Sequence, residues 1–324
     1  MKIKNIKKIQ YKDEVFNLRI KTDKETNHNY FANGLCVSNC HHSTASSLRS
    51  ILSKCYRSSY KIGFSGTLPK DGTCESFTIQ SYIGPCVHKL TSAELISNKK
   101  ATPVHVECYD LNYLSDNIKQ KLFEIRNNKI DGEGTKILNL ERNVMRENRD
   151  RLLFICEKII NAKNNSLVLF NDVQGKYGRK IYQHVKENSE LVVYYIDGST
   201  SSENRDYFKQ QMEQNNNVVI VASVGTFSEG ISINNLHNIF LAECGKSEVI
   251  TAQILGRGMR LLEGKEKVIV YDFVDNYIFG KLKNSINYLY KHGLERQRMY
   301  MERKFPYSVT KVEFSNSNKP NALI

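Results

Sequence analysis

The sequence predicts a parallel α/β sheet with right-handed crossovers, preceded by a small β-rich segment, and three observations carry the prediction. From about residue 60 to residue 275, apolar strand-like runs alternate with amphipathic helical stretches, the rhythm that parallel βαβ units need. The first forty residues break that rhythm, with short extended runs between polar turns and no helical period. The composition is that of a globular chain: 324 residues, 40% hydrophobic, 25% charged and five prolines. Such a chain buries a sizeable core without staples, and collagen-like, mucin-like and low-complexity classes are excluded.

Taken in order, residues 14–20 and 29–32 read as short strands around a polar turn at 21–26, and a third run at 35–37 stops at Ser38-Asn39-Cys40. This segment is too small to bury a core alone and should need a partner. A helical stretch then runs to Tyr56, followed by a strand over 60–64 that ends in Ser65-Gly66-Thr67. Residues 103–140 read as a mixed connector in which Asp131-Gly132-Glu133-Gly134 is an exposed turn. Beyond it come a helix near 142–162, a strand at 166–170, a helix at 174–187, a strand at 191–196 and a helix at about 203–214. Strands at 218–222 and 239–242, a helix at 248–256 and a strand at 267–273 complete the alternation. Residues 276–312 show a basic helical pattern, and 315–324 should fray.

With 47 Lys+Arg against 34 Asp+Glu, the net charge of +13 favours a polyanionic partner such as nucleic acid, although a generally basic soluble protein fits the charge equally well. No run of 18 apolar residues is present, and the basic start, Met1 to Lys8, lacks the apolar stretch of a signal peptide. The expectation is a cytoplasmic chain that neither spans a membrane nor is secreted. Eight cysteines are scattered without a CxxC pair, so no metal site is expected in this chain.

Asn39-Cys40 carries its own chemistry. An Asn side-chain amide can attack its own main-chain carbonyl and cut the following peptide bond, and a Cys after the cut offers a thiol that accepts an acyl group. Residues 28–40, His-Asn-Tyr-Phe-Ala-Asn-Gly-Leu-Cys-Val-Ser-Asn-Cys, resemble the carboxy-terminal splicing motif of inteins. The resemblance implies that residues 1–39 are the carboxy-terminal fragment of a split intein of the small β-rich Hint type. It also implies that Asn39 cyclises, that Cys40 is the first retained residue and acyl acceptor, and that His28 assists proton transfer. Two positions depart from the family pattern: Asn17 stands where an Asp is usual and Ser38 where a His is usual.

After the junction, three segments stand out: Ser65-Gly66-Thr67; residues 221–232, which contain Ser223, Thr226, Glu229, Gly230 and Ser232; and residues 253–260, with Gln253, Gly256, Arg257 and Arg260. All three are expected at the carboxyl ends of the sheet strands, where ligands of such sheets sit. Arg257 and Arg260, three apart, share one helix face, and two guanidiniums on one face suit a spread phosphoryl charge. In this order, with His41 after Cys40, the segments resemble the motifs of superfamily 2 helicases, closest to the phage UvsW-like group of recombination and repair helicases.

That resemblance implies one complete RecA-like domain and half of another, with ATP and Mg2+ used once the enzyme is whole. His41, Ser65, Gly66, Thr67, Glu229, Gly230, Ser232, Gln253 and Gly256 would belong to the nucleotide motifs, and Arg257 and Arg260 would act on the transferring phosphate. Ser223, Thr226, Lys291 and Arg296 would contact DNA, the last two from a tail whose tyrosines interleave with bases. A solvated helix docked on the second domain explains that tail nearly as well.

The sequence holds no GxxxxGK[ST], and no Asp-Glu precedes Cys40, so the phosphate cradle and the magnesium carboxylates are missing. The two resemblances then imply a separate polypeptide that carries the helicase amino-terminal half and the other intein half. Expected boundaries are 1–39 for the intein fragment, 40–102 for half of the first RecA-like domain, 103–140 for the connector, 141–275 for the second RecA-like domain and 276–324 for the tail. Three alternatives stay open: an inactive intein remnant on a DNA-binding module, an RNA helicase, or a restriction-type translocase.

Overall fold

The computed structural model describes residues 20–21, 26–27, 30–32, 35–39, 46–54, 60–69, 71–113, 133–172, 176–228, 233–277 and 286–314. The chain divides into two units, Met1–Lys89 and Leu90–Ile324.

In the first unit, β1 (Ile20–Lys21) and β2 (Thr26–Asn27) form an antiparallel pair. A separate three-stranded sheet orders β3 (Tyr30–Ala32), β4 (Leu35–Asn39) and β5 (Tyr60–Phe64). β3 and β4 are antiparallel, whereas β4 and β5 run parallel, from Leu35 opposite Tyr60 to Asn39 opposite Phe64. Parallel neighbours need a crossover, and α1 (Ser46–Lys54) lies in it. The expected boundary at Asn39-Cys40 therefore falls inside one β-α-β unit, because backbone pairing joins the strands on either side of it. α2 (Cys74–Ile83) starts on Thr73, whose hydroxyl accepts from Ser76 N at 3.2 Å. Tyr82 and Ile83 pack on Leu52, which is 1% exposed.

The second unit opens with α3 (Ser92–Ser97), begun by a capping box between Thr91 and Glu94. There follow β6 (Val104–Tyr113), α4 (Glu133–Glu147), α5 (Arg149–Asn161), β7 (Ser166–Phe170), α6 (Lys176–Glu187) and β8 (Val192–Ile196). α7 (Ser202–Gln214), β9 (Val218–Ser223), α8 (Val224–Ser228), β10 (Asn238–Leu241), α9 (Glu248–Gly258) and β11 (Val268–Asn276) come next. α10 (Tyr288–Glu302) and β12 (Tyr307–Phe314) end it. The seven strands order β12-β6-β11-β10-β7-β9-β8, and every neighbouring pair is parallel.

The sheet is covered on both faces, which is why β7 and β10 are buried at every residue. Alternate residues go to opposite layers. Leu167 and Leu169 join a core with Ile254 and Leu255 of α9 and Met299 of α10. Val168 and Phe170 join another with Ile155 of α5 and Ile181 of α6. Two expectations change here. Residues 104–113, from the expected connector, form a ten-residue strand between β11 and β12. The expected helical tail is helical only to Glu302, after which Tyr307 to Phe314 pair with Val106 to Tyr113 as an edge strand. In both cases a long ladder to a distant partner outweighs weak local pattern.

Candidate functional site

α9 has its amino terminus at the carboxyl end of the sheet, where the Ser247 hydroxyl accepts from Ile250 N at 3.3 Å. Eleven residues at about 1.5 Å each run back along roughly 16 Å of sheet, so the last turn of α9 reaches the amino ends of the strands. There Gly258 lies so close to the sheet that a Cβ would stand 2.8 Å from Ile239 Cδ1 and 3.2 Å from Val268 Cγ1. Thr102, just before β6, donates from N to Met259 O and from Oγ1 to Arg260 O, each at 2.8 Å. The buried Lys265 ammonium donates to Gly258 O at 2.7 Å, Asn234 O at 3.0 Å and Arg260 O at 3.2 Å.

These anchors hold Arg257 and Arg260 in place. Arg257 is half-buried, and burial together with the Arg260 charge lowers its pKa. Arg260 is exposed, Gln253 is half-buried one turn back, and Gly256 faces open space. The expectation that 253–260 sit at the carboxyl ends is thus corrected. Because α9 runs antiparallel to the strands, it carries its arginines to the opposite end.

Ser223 does lie at a carboxyl end, closing β9. Its Oγ donates to Thr226 Oγ1 at 2.7 Å and accepts from Thr226 N at 3.4 Å. Glu229, Gly230 and Ser232 lie outside the described residues, as do His28, Cys40 and His41. Asn39, the last residue of β4, is the one member of the splicing trio that lies among the described residues. After β5, the Ser65 Oγ accepts from Thr67 N and donates to Thr67 O, both at 3.1 Å, and Gly66 is exposed. Thr67 is 5% exposed, and its Oγ1 has no partner among the described residues.

The chain leaves β7 toward β9 and β8 but then crosses to β10 on the other side, which makes the gap between β7 and β10 the switch point of the sheet. A cleft of about 460 Å³ opens at that point. Asn171 enters it after β7, Val224 after β9, and Cys244 to Ser247 after β10, with Thr135 and Arg142 from α4 and Tyr288 and His292 from α10. His292 is buried, and burial plus the charges of Arg296, Arg142 and Lys246 push its pKa down to about 4. Beneath the cleft, Arg146 donates from Nη2 and Nε to the two carboxylate oxygens of Glu243, at 2.6 and 3.1 Å.

Sequence reading missed Arg142, Lys246 and His292, which come from three elements far apart in the chain. One signal was present: Gly245-Lys246-Ser247 between an expected strand and an expected helix. Of the two tail residues expected on DNA, Lys291 is exposed, its Nζ 5.4 Å from the Tyr288 ring centroid. Arg296 is not available to a phosphate. It is 3% exposed and bound to the Asp272 carboxylate and to the carbonyls of Cys244 and Gly245; a docked helix buries it because Asp272 needs a counter-charge.

For ATP with Mg2+, the residues present fit only in part. Arg257 and Arg260 suit the phosphoryl charge, but among the described residues no group of three or more His, Cys, Asp or Glu could hold a metal ion. No helix among the described residues is long and apolar enough to cross a membrane.

Residues 150–262 match the family model described as the helicase conserved C-terminal domain. The chain is 30% identical over 283 residues to the ATP-dependent DNA helicase uvsW of Enterobacteria phage T4, covering 84% of this chain and 53% of that protein. It is 26% identical over 243 residues to the probable helicase D10 of Escherichia phage T5, covering 74% and 48%. The crystal structure of T4 UvsW matches with a TM-score of 0.52 at 27% identity, over 86% of this chain and 53% of that one. The chain thus spans about half the length of these relatives. It carries a RecA-like helicase C-terminal domain on a seven-stranded parallel sheet and is related to phage T4 UvsW.

Proposed function

We propose that this chain supplies the second motor domain, and the adjoining part of the first, of an ATP-dependent DNA helicase or branch-migrating translocase of the UvsW kind. In the finer part of the proposal, residues 1–39 are the carboxy-terminal fragment of a split intein, and the chain is joined to a polypeptide bearing the phosphate loop and Asp-Glu. The observation that carries the helicase reading is the placement of Arg257 and Arg260: half-buried and exposed, anchored through Thr102 and Lys265, within a span that matches the helicase C-terminal family.

ATP supplies the phosphoryl group whose transfer drives movement. Arg257 and Arg260 stabilise the charge that develops on it, a contribution of the arginine-finger kind. Ser223, Thr226 and Lys291 hold DNA by phosphate contacts, which set position without reading sequence. Mg2+ would supply charge neutralisation on the phosphates when bound, and among the described residues no group of three or more His, Cys, Asp or Glu could hold it.

For splicing, the acyl group from the partner passes to the Cys40 thiol. The Asn39 side-chain nitrogen then attacks the Asn39 carbonyl carbon; a succinimide forms, the bond to Cys40 breaks, and the Cys40 amine is released to take the acyl group from sulfur. His28 assists the proton transfers. What supports this reading is the motif over residues 28–40 and the lack of GxxxxGK[ST] in the sequence. The parallel pairing of β4 with β5 favours a second reading, in which residues 1–39 stay attached and the chain acts as a DNA-binding module.

The test mixes this chain with a polypeptide carrying the predicted missing halves and follows product mass and polynucleotide-stimulated ATPase. The expected result is a ligated product lacking residues 1–39, blocked by Asn39→Ala, whose ATPase responds to DNA more than to RNA. If wild-type chains never ligate, the splicing part fails and the second reading stands.

A further inference from the structure

We propose that the cleft at the carboxyl ends of β7, β9 and β10 is a binding site for a backbone phosphate of DNA, built by Lys246, Ser247, Arg142 and His292. This inference rests on the DNA reading above and assigns it residues outside the helicase motifs.

Four observations converge. Gly245-Lys246-Ser247 stands between a parallel strand and the first turn of an eleven-residue helix, where main-chain N–H groups, an ammonium and a hydroxyl can meet one phosphate. The cleft sits at the switch point of the sheet, the usual ligand position in parallel α/β folds. Among the described residues its lining holds two cations and no carboxylate, while Thr135 and Asn171 add a hydroxyl and an amide. Finally, His292 lines the cleft at 8% exposure with Nδ1 lacking any hydrogen-bond partner among the described residues, an unmet polar group of the kind a ligand satisfies.

Charge bookkeeping points the same way. Among the described residues Glu243 is the carboxylate that pairs with Arg142, at 3.7 Å, and it is already held by two donors of Arg146. Lys246 is exposed and makes no ion pair among the described residues. A positive field therefore remains over the cleft, and an anion relieves it. The wall formed by Leu138, Val224 and Tyr288 exceeds what a bare phosphate needs and suits the sugar and base of a nucleotide. Val224 also follows Ser223 directly, so one strand of DNA can run from that turn into the cleft.

The full chain is titrated with a fluorescein-labelled single-stranded oligonucleotide by anisotropy at several salt concentrations. Lys246→Ala is expected to weaken binding about three- to tenfold and to lower the slope of log K against log salt by roughly 0.7, the value of one lost phosphate contact on a single strand. Lys186→Ala, in the last turn of α6 and outside the cleft lining, is expected to bind as wild type does. Wild-type affinity and slope in Lys246→Ala would overturn the cleft assignment alone. Failure of the wild-type chain to bind at all would instead overturn the DNA reading beneath it. In a second arm, the His292 imidazole resonances are followed by NMR. They should move with the oligonucleotide; movement with inorganic phosphate but not with the oligonucleotide overturns the polynucleotide source.

Discussion

Arg296 of α10 meets Asp272 of β11 in a buried fork, its guanidinium donating to the carboxylate at 2.6, 3.0 and 3.1 Å with side-chain exposures of 3% and 0%. The same guanidinium donates to the carbonyls of Cys244 and Gly245 at 3.1 Å, and the Tyr300 hydroxyl donates to Asp272 at 2.8 Å. A cation that looks from sequence like a DNA contact is instead the bolt that holds α10 on the sheet and shapes the loop before α9.

Removing one partner leaves the other charge buried alone. Arg296→Ala is expected to cost about 3–5 kcal/mol, read as a lowered urea midpoint. Replacing both partners, as Arg296→Met with Asp272→Leu, recovers most of that loss. Loss of stability without change in the salt slope of DNA binding is the signature that separates a structural arginine from a phosphate contact.

Gly293 packs on β11 so closely that a Cβ would overlap both methyls of Val274, which is itself fully buried. Gly293→Ala is expected to destabilise by about 1–3 kcal/mol through overpacking. In the double variant with Val274→Ala the penalties should not add, with a coupling of at least about 1 kcal/mol measurable by denaturant titration.

His292 makes the fold acid-sensitive in a defined window. With its pKa held near 4 by burial and by Arg296, Arg142 and Lys246, against roughly 6.5 in the unfolded chain, the unfolded state takes up the proton first. Its contribution is therefore complete above pH 6.5 and lost as pH falls toward 4, by up to about 3 kcal/mol. His292→Asn should flatten the fall in urea midpoint between those two pH values.

Arg257 and the cleft lie at opposite ends of the same strands, so their effects should separate. In the assembled helicase, Arg257→Ala is expected to lower the ATPase kcat about a thousandfold or more, while the salt slope of DNA binding stays that of wild type. A parallel loss of DNA affinity would show that the two ends are not independent.

What the sequence determined by itself is the local chemistry. Apolar runs and helical periods between 166 and 273 place strands and helices within a few residues of β7 to β11 and of α6, α7 and α9, because each element is set by its own periodicity and its own caps. The three-residue spacing of Arg257 and Arg260 was equally legible. Only the tertiary structure decided the rest. Residues 104–113 and 307–314 become strands through ladders to each other and to β11, pairings that no local window contains. The direction of α9 against the sheet, fixed by bonds such as Thr102 to Arg260 across 158 positions, sends its arginines to one end and its first turn to the other. Burial then sorted the tail cations, turning Arg296 inward to Asp272 and leaving Lys291 outside. A charge's role follows from its partner, and partners distant in sequence meet only in the folded chain.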